Sequence, residues 1–307
     1  MSGPVQDPDL RCENELLSEL EAREGRHTEV GGMPVTRVLP TKGRRTVGAW
    51  CFVDLMGPAD AEEPDPMEVG PHPHMGLATV TWLLEGEALH SDSLGTEQLI
   101  RPGQLNLMTS GHGIAHAELA AEPPFRGVQM WIAQPAATRH GTSDFEHHGE
   151  LPGVEADGVR GMVLAGSFGG VSSAARTDTA LVGADLTVDR GRAVLPIGRG
   201  FEHCVVPLDG RVKLGDEVLE PGWLGLLPAG IEELPVHADV AATRFLLLGG
   251  EPLGEAVSMW WNFVARDRDE ITQAYRDWED RTDRFGEVAS SLERIEAPRP
   301  PWLPPEA

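Results

Sequence analysis

The chain has 307 residues, which suits two domains of roughly 110 to 150 residues better than one small domain. Its net charge of -24, with Lys42 and Lys213 as the only lysines, excludes a nucleic-acid-binding surface, because phosphates would be repelled. No apolar run approaches the length needed to cross a bilayer, and the polar, acidic N-terminus has no secretory-signal pattern.

A hydrophobic fraction of 40% and a charged fraction of 24% predict a soluble globular protein, cytoplasmic and without a membrane partner. Cys12, Cys51 and Cys204 are odd in number and widely spaced, so they read as reduced thiols and not as a disulfide framework. With 36 glycines and 25 prolines, short strands joined by tight turns are favoured over a helical bundle.

In chain order, residues 1–12 are expected to be disordered. Glu13 to Glu24 predicts a short acidic helix with Leu16, Leu17 and Leu20 on one face. From Met33 the pattern is that of strands: Val35, Arg37 and Leu39 alternate, and Thr46 to Val53 is rich in strand formers. Asp54 to Pro58 ends that strand, and the acidic, proline-bearing span Ala59 to Asp65 predicts a surface loop.

The stretch from Gly70 to Glu118 holds the chemistry. It opens with Pro71-His72-Pro73-His74 and closes with Gly113-Ile114-Ala115-His116-Ala117-Glu118. Residues i and i+2 of a strand point to one face, so each pair aims two ligands into one space. Two such strands would surround an ion with three imidazoles and a carboxylate. That set suits a divalent first-row metal, with Fe(II), Mn, Ni and Zn all compatible. Between the pairs, Glu85-Gly86-Glu87, Ser93-Leu94-Gly95 and Arg101-Pro102-Gly103 supply turns, and Val80 to Leu84 has the composition of a buried strand. His90 lies away from both pairs in sequence and is assigned to support or strand pairing.

Arg126 to Ile132 predicts a core strand with Val128, Met130 and Ile132 on one face. Residues 134–150 read as the interdomain connection, and their His140, His147 and His148 as solvated side chains. The second half then repeats the first: Arg101 to Gly111 aligns without a gap on Glu220 to Gly230, which implies two copies of one barrel-like unit. Carrying the ligand positions across places Pro196, Gly198, Pro235 and His237 opposite His72, His74, His116 and Glu118. No ligand set survives there, and His203 and Cys204 read as structural. Near the C-terminus, Asp267 to Trp278 predicts a helix with Ile271, Ala274, Tyr275 and Trp278 as a packing stripe and Asp267 or Asp269 as its cap. The proline-rich tail from Ala297 is expected along the surface.

The segments HPHMGLATVTWLLEGEALHSDSLG and RPGQLNLMTSGHGIAHAE resemble the metal-binding domain of the pirin family in the cupin superfamily. The resemblance covers about residues 30–290. It implies an all-β fold of two tandem cupin barrels with a short C-terminal helix. The expected division is an N-terminal segment 1–29, a metal-bearing barrel 30–135, a metal-free barrel 150–265 and a C-terminal part 266–307. The family's ligands fall on His72, His74, His116 and Glu118, and the family's metal is iron. Met75, Ala78 and His112 depart from residues common in pirins and are expected near the pocket, whose apolar walls are assigned to Met75, Leu77, Trp82 and Met108. Two functions follow from the resemblance. One is a non-haem iron dioxygenase acting on flavonols such as quercetin, with Glu118 as ligand and base. The other is an iron-dependent redox sensor that binds a partner protein. A monomer is expected.

Overall fold

The computed structural model describes residues 17, 19–57, 67–120, 124–156 and 158–304. The expected disorder of residues 1–12 and the loop Ala59 to Asp65 lie outside them. The fold is all-β, two cupin barrels with one described helix, Arg268–Glu279. In the first barrel a seven-stranded sheet runs in the order Asp144–His148, Leu105–Thr109, Leu77–Glu85, Arg126–Ala133, Trp50–Met56, Met33–Leu39, Arg26–Val30. A four-stranded sheet faces it, in the order Met67–His74, Ile114–Ala120, Ala88–Asp92, Glu97–Ile100.

The second barrel repeats the plan. Trp223–Leu227 pairs with Glu202–Asp209 as Leu105–Thr109 pairs with Leu77–Glu85. Gly191–Pro196 pairs with Glu233–Ala238 as Met67–His74 pairs with Ile114–Ala120. The register corrects one sequence assignment. Pro235 lies opposite Val194, and Glu233 opposite Pro196, so Val194 and Pro196, not Pro196 and Gly198, occupy the places of His72 and His74. The glycine- and proline-anchored alignment carries one offset through turns of unequal length, and a ladder does not tolerate that slip. The interior remains apolar: Val182, Leu195, Leu234 and Phe245 are among the residues that fill it.

Each barrel borrows a strand from outside its expected limits. Asp144–His148, expected within a connection, pairs with Leu105–Thr109. Glu21–Glu24, expected in a helix, is instead a strand paired with Trp223–Leu227 of the second barrel. An isolated helix this short is marginal in water, whereas a sheet edge offers ready backbone partners. Leu17, Leu20 and Ala22 then pack on the second barrel's core. The C-terminal chain crosses the other way. The hairpin Ser258–Trp260/Phe263–Ala265 and the helix lie on the first barrel, where Ile271, Ala274 and Trp278 pack with Met75, Ala115 and Phe285. Asp267 caps the helix, its carboxylate accepting from Glu270 N at 2.9 Å.

Strand alternation decides what faces the barrel interior. Val80 and Trp82, like Val128, Met130 and Ile132, share one face as expected, but that face meets Leu164, Val206, Leu246 and Leu248 of the second barrel. Thr81, Gln129 and Trp131, out of phase by one, point inward. Two tryptophans fasten the barrels together. Trp50 Nε1 reaches the Val182 and Gly249 carbonyls, and Trp82 Nε1 donates to Asp185 Oδ2 at 2.7 Å. Arg244 holds the same carboxylate at 2.6 Å. Trp82→Phe keeps the packing but removes the donor, and should cost about 1–2 kcal/mol. Urea unfolding checks this; an unchanged midpoint would show that the bond adds nothing to the apolar contact.

Candidate metal centre

The histidine pairs sit on neighbouring antiparallel strands. His116 lies directly opposite His72, and a register shift between His116 and Glu118 marks a bulge of the kind that re-aims side chains. On its other side Glu118 lies opposite His90, and His116 opposite Asp92. All of these side chains are buried.

The four expected ligands are not all drawn to one point. Nitrogens of His72, His74 and His116 lie within 4.8 Å of one another, and a second group at the same spacing joins His90, His116 and Glu118. Both groups lie in the first barrel. His72 Nδ1 faces the Gly70 carbonyl at 2.8 Å. A carbonyl only accepts, so Nδ1 carries the proton and Nε2 keeps its lone pair. His74 Nε2 and His116 Nε2 face each other at 3.0 Å. His74 Nδ1 has no hydrogen-bond partner, and the Asn262 main chain lies beside the ring. His116 Nδ1 stands 3.3 Å from His90 Nδ1, and His90 Nε2 3.1 Å from Asp92 Oδ2. Asp92 in turn accepts from the backbone N–H of Leu94 and Thr96. His90 thus stands behind His116 and, through its group with His116 and Glu118, is also within ligand distance, where the sequence assigned it to support or strand pairing.

Burial dominates the electrostatics. It pushes His72 down to about 4 and His74 and His116 well below the usual imidazole range, so at neutral pH three uncharged rings present lone pairs to one space. That donor set fits a borderline divalent cation. Burial also raises Glu118 above the usual carboxylate range. Thr81 Oγ1 lies 3.2 Å from Glu118 and 3.0 Å from Gln129. Thr81 is the donor in both contacts, and its one hydroxyl proton serves either the Glu118 carboxylate or the Gln129 amide oxygen at a time.

These groups open on a cavity of about 380 Å³, walled by Phe52, Trp131, Met67, Val69, Trp261 and Ile295. Phe52 and Trp131 stack with centroids 3.9 Å apart, and Arg37, paired through two hydrogen bonds to Asp54, lies over Phe52. None of the four expected wall residues lines it. Trp82 faces the other barrel, Met75 packs under the C-terminal helix, Leu77 packs with Val264, and Met108 lies outside the lining. The three departures from the family pattern also lie away from the cavity. Ala78 shares the outer face with Val80, Met75 Sδ meets Arg284, and the exposed His112 gives its carbonyl to Arg284. An apolar face alone does not tell a barrel's interior from its outer contact; Thr79 and Thr81, alternating with Val80 and Trp82, were the available signal.

His140 lies beside His112, His147 bonds Asn106, and His148 bonds Glu146. Cys51 and Cys204 are free and buried, and burial pushes both thiols up to about 12. Cys12 lies outside the described residues. His203 is buried in the second barrel with neither ring nitrogen in a good hydrogen bond, and burial lowers it to about 4. An unfolded histidine titrates near 6.5, so the unfolded state takes up the proton first. Stability is therefore full above pH 6.5 and falls as pH drops toward 4, by about 3 kcal/mol per such group. His203→Leu should raise the melting temperature at neutral pH and shrink the loss of urea midpoint between pH 7 and pH 4. An undiminished acid loss would show that His203 is not its source.

Two cupin barrels, one of which gathers histidines and a carboxylate around a cavity, define a metal-binding bicupin. Comparison with known proteins narrows the class. The Pirin family profile matches residues 32–132, and that of the Pirin C-terminal cupin domain matches residues 183–286. A Pseudomonas aeruginosa protein provisionally named quercetin 2,3-dioxygenase is 44% identical over 277 residues, 89% of this chain and 87% of the relative. A Caulobacter vibrioides pirin-like protein is 35% identical over 266 residues, 83% of this chain and 91% of the relative. The crystal structure of quercetin 2,3-dioxygenase from Acinetobacter baumannii superposes with a TM-score of 0.87 at 38% identity, covering 93% of this chain and 97% of that one. The chain belongs to the pirin family.

Proposed function

We propose that this protein is a non-haem iron dioxygenase whose first barrel holds one Fe(II) through His72, His74 and His116, with Glu118 as the fourth ligand, and which acts on flavonols. The observation that carries the reading is the meeting of three neutral, buried imidazoles with a stacked Phe52–Trp131 wall in one cavity. A flat aromatic substrate suits such walls. Bound there, iron would supply Lewis acidity toward substrate oxygens and one-electron chemistry toward dioxygen.

The chain's own residues account for the rest. Phe52 and Trp131 hold the substrate's rings and exclude water. Glu118, whose carboxyl is raised by burial, is the base placed to take a hydroxyl proton from the substrate. The Thr81 hydroxyl lies beside it and beside Gln129. Asp54 also lines the cavity, but Arg37 occupies both its oxygens. The relatives' names support the flavonol reading, and pirin relatives also leave room for a redox sensor with a protein partner. Among the described residues Cys51 and Cys204 are buried thiols, which leaves the metal as the redox group of such a sensor there.

The test is metal analysis of natively purified protein, then anaerobic addition of quercetin followed by oxygen. Iron-loaded protein should bleach the flavonol with stoichiometric oxygen uptake. If it does neither over a range of pH, the dioxygenase reading falls. The sensor reading is then tested by whether oxidising the iron changes capture of a partner protein. Mn, Ni and Zn loading serve as comparisons.

A further inference from the structure

The cavity of the first barrel is finished by chain that comes after the second. Trp260 pairs with Phe263, so Trp261 and Asn262 form a two-residue hairpin turn, and both line the metal cavity. Trp261 has a φ of 51°. A bulky side chain in the left-handed region is strained, and hairpin turns that need it favour glycine or asparagine. The conformation persists because the surroundings enforce it. Val264 N donates to the Met75 carbonyl at 2.9 Å, one residue beyond His74. Arg266 reaches the Gln134 carbonyl at 2.8 Å, and the Trp261 ring meets Phe263 edge-on. The turn's main chain also lies beside His74. Trp261 remains half-buried, one part in the cavity and one toward solvent.

We propose that Trp261 determines which ligands the metal cavity takes, by closing its open side with an aromatic wall that selects flat rings. The proposal builds on the metal reading above and needs no turnover. The cavity already has one stacked aromatic wall in Phe52–Trp131; a second indole at the rim leaves a slot rather than a bowl. A flat, ring-shaped oxygen chelator should contact both walls. A small non-aromatic chelator should gain nothing from the second one.

The substitution Trp261→Gly separates this role from a structural one, because glycine adopts positive φ without strain while deleting the indole. Calorimetry on Zn(II)-loaded protein would compare tropolone, flat and ring-shaped, with acetohydroxamate, which binds metals through the same kind of oxygen pair but carries no ring. In the unaltered protein the ratio should favour tropolone. In Trp261→Gly it should fall about tenfold or more, with acetohydroxamate affinity and melting temperature held. Trp261→Phe should restore most of the ratio. An unchanged ratio in the glycine variant, or no preference in the unaltered protein, overturns the proposal. If the preference is present and depends on Trp261 while quercetin and oxygen are not consumed, the wall stands and the dioxygenase reading falls.

Discussion

The double substitution His72→Ala, His116→Ala is expected to abolish stoichiometric metal binding, against one equivalent per chain in the unaltered protein. The pair removes two of three converging imidazoles, and His116 belongs to both candidate ligand groups, so neither group keeps its three donors. His90 lies behind His116, held toward Asp92. Metal that binds only the folded chain stabilises it by about 2.7 kcal/mol when the free ion is at a hundred times its dissociation constant. Chelation should therefore lower the melting temperature of the unaltered protein and leave the double variant unmoved. The loss should come as one transition, because a single apolar core spans both barrels and each terminus is packed on the other's barrel. Two equivalents of metal, or retention of one after the double substitution, would contradict the site.

Glu118→Gln should reduce flavonol turnover by about a hundredfold or more, beyond any loss of metal. The amide keeps an oxygen for the ion but cannot accept a proton, and Thr81 and Gln129 lose the group they are arranged to serve. Among the described residues the other buried carboxylate lining the cavity, Asp54, is committed to Arg37, and Ala78 lies on the outer face of its strand. Single-turnover kinetics at matched iron content would check this. Turnover falling only in proportion to iron would leave Glu118 as a ligand and no more.

The ligand pairs were legible because their information is local. A strand has a period of two, so His72 shares a face with His74, and His116 with Glu118, until a bulge such as the one between His116 and Glu118 re-aims a side chain. The repeat was legible for a similar reason, since glycine and proline mark turns through backbone preference alone. The same locality explains the helix from Arg268 and the capping residue Asp267. Where the sequence offered two equivalent answers, it misled. Val80 and Trp82 form a core face, but an apolar face by itself does not say whether a barrel interior or a second barrel waits there; only Thr79 and Thr81 on the opposite face bore on the choice.

The remaining features come from residues that meet only after the chain has closed. Glu21–Glu24 has no reason to be a strand except the open edge at Trp223–Leu227, and that edge exists only once the second barrel forms. Phe52 and Trp131 become one wall because strands more than seventy residues apart pair side by side. His90 reaches His116 through cross-strand register with Glu118, not through proximity in the chain. Trp261 and Ile295 join the cavity from beyond the second barrel, the former in a backbone conformation its own side chain opposes. Composition and spacing therefore state which atoms can bind a metal. The shape of the space around it is set by long-range contacts, whose energies belong to pairs of segments and to neither one alone.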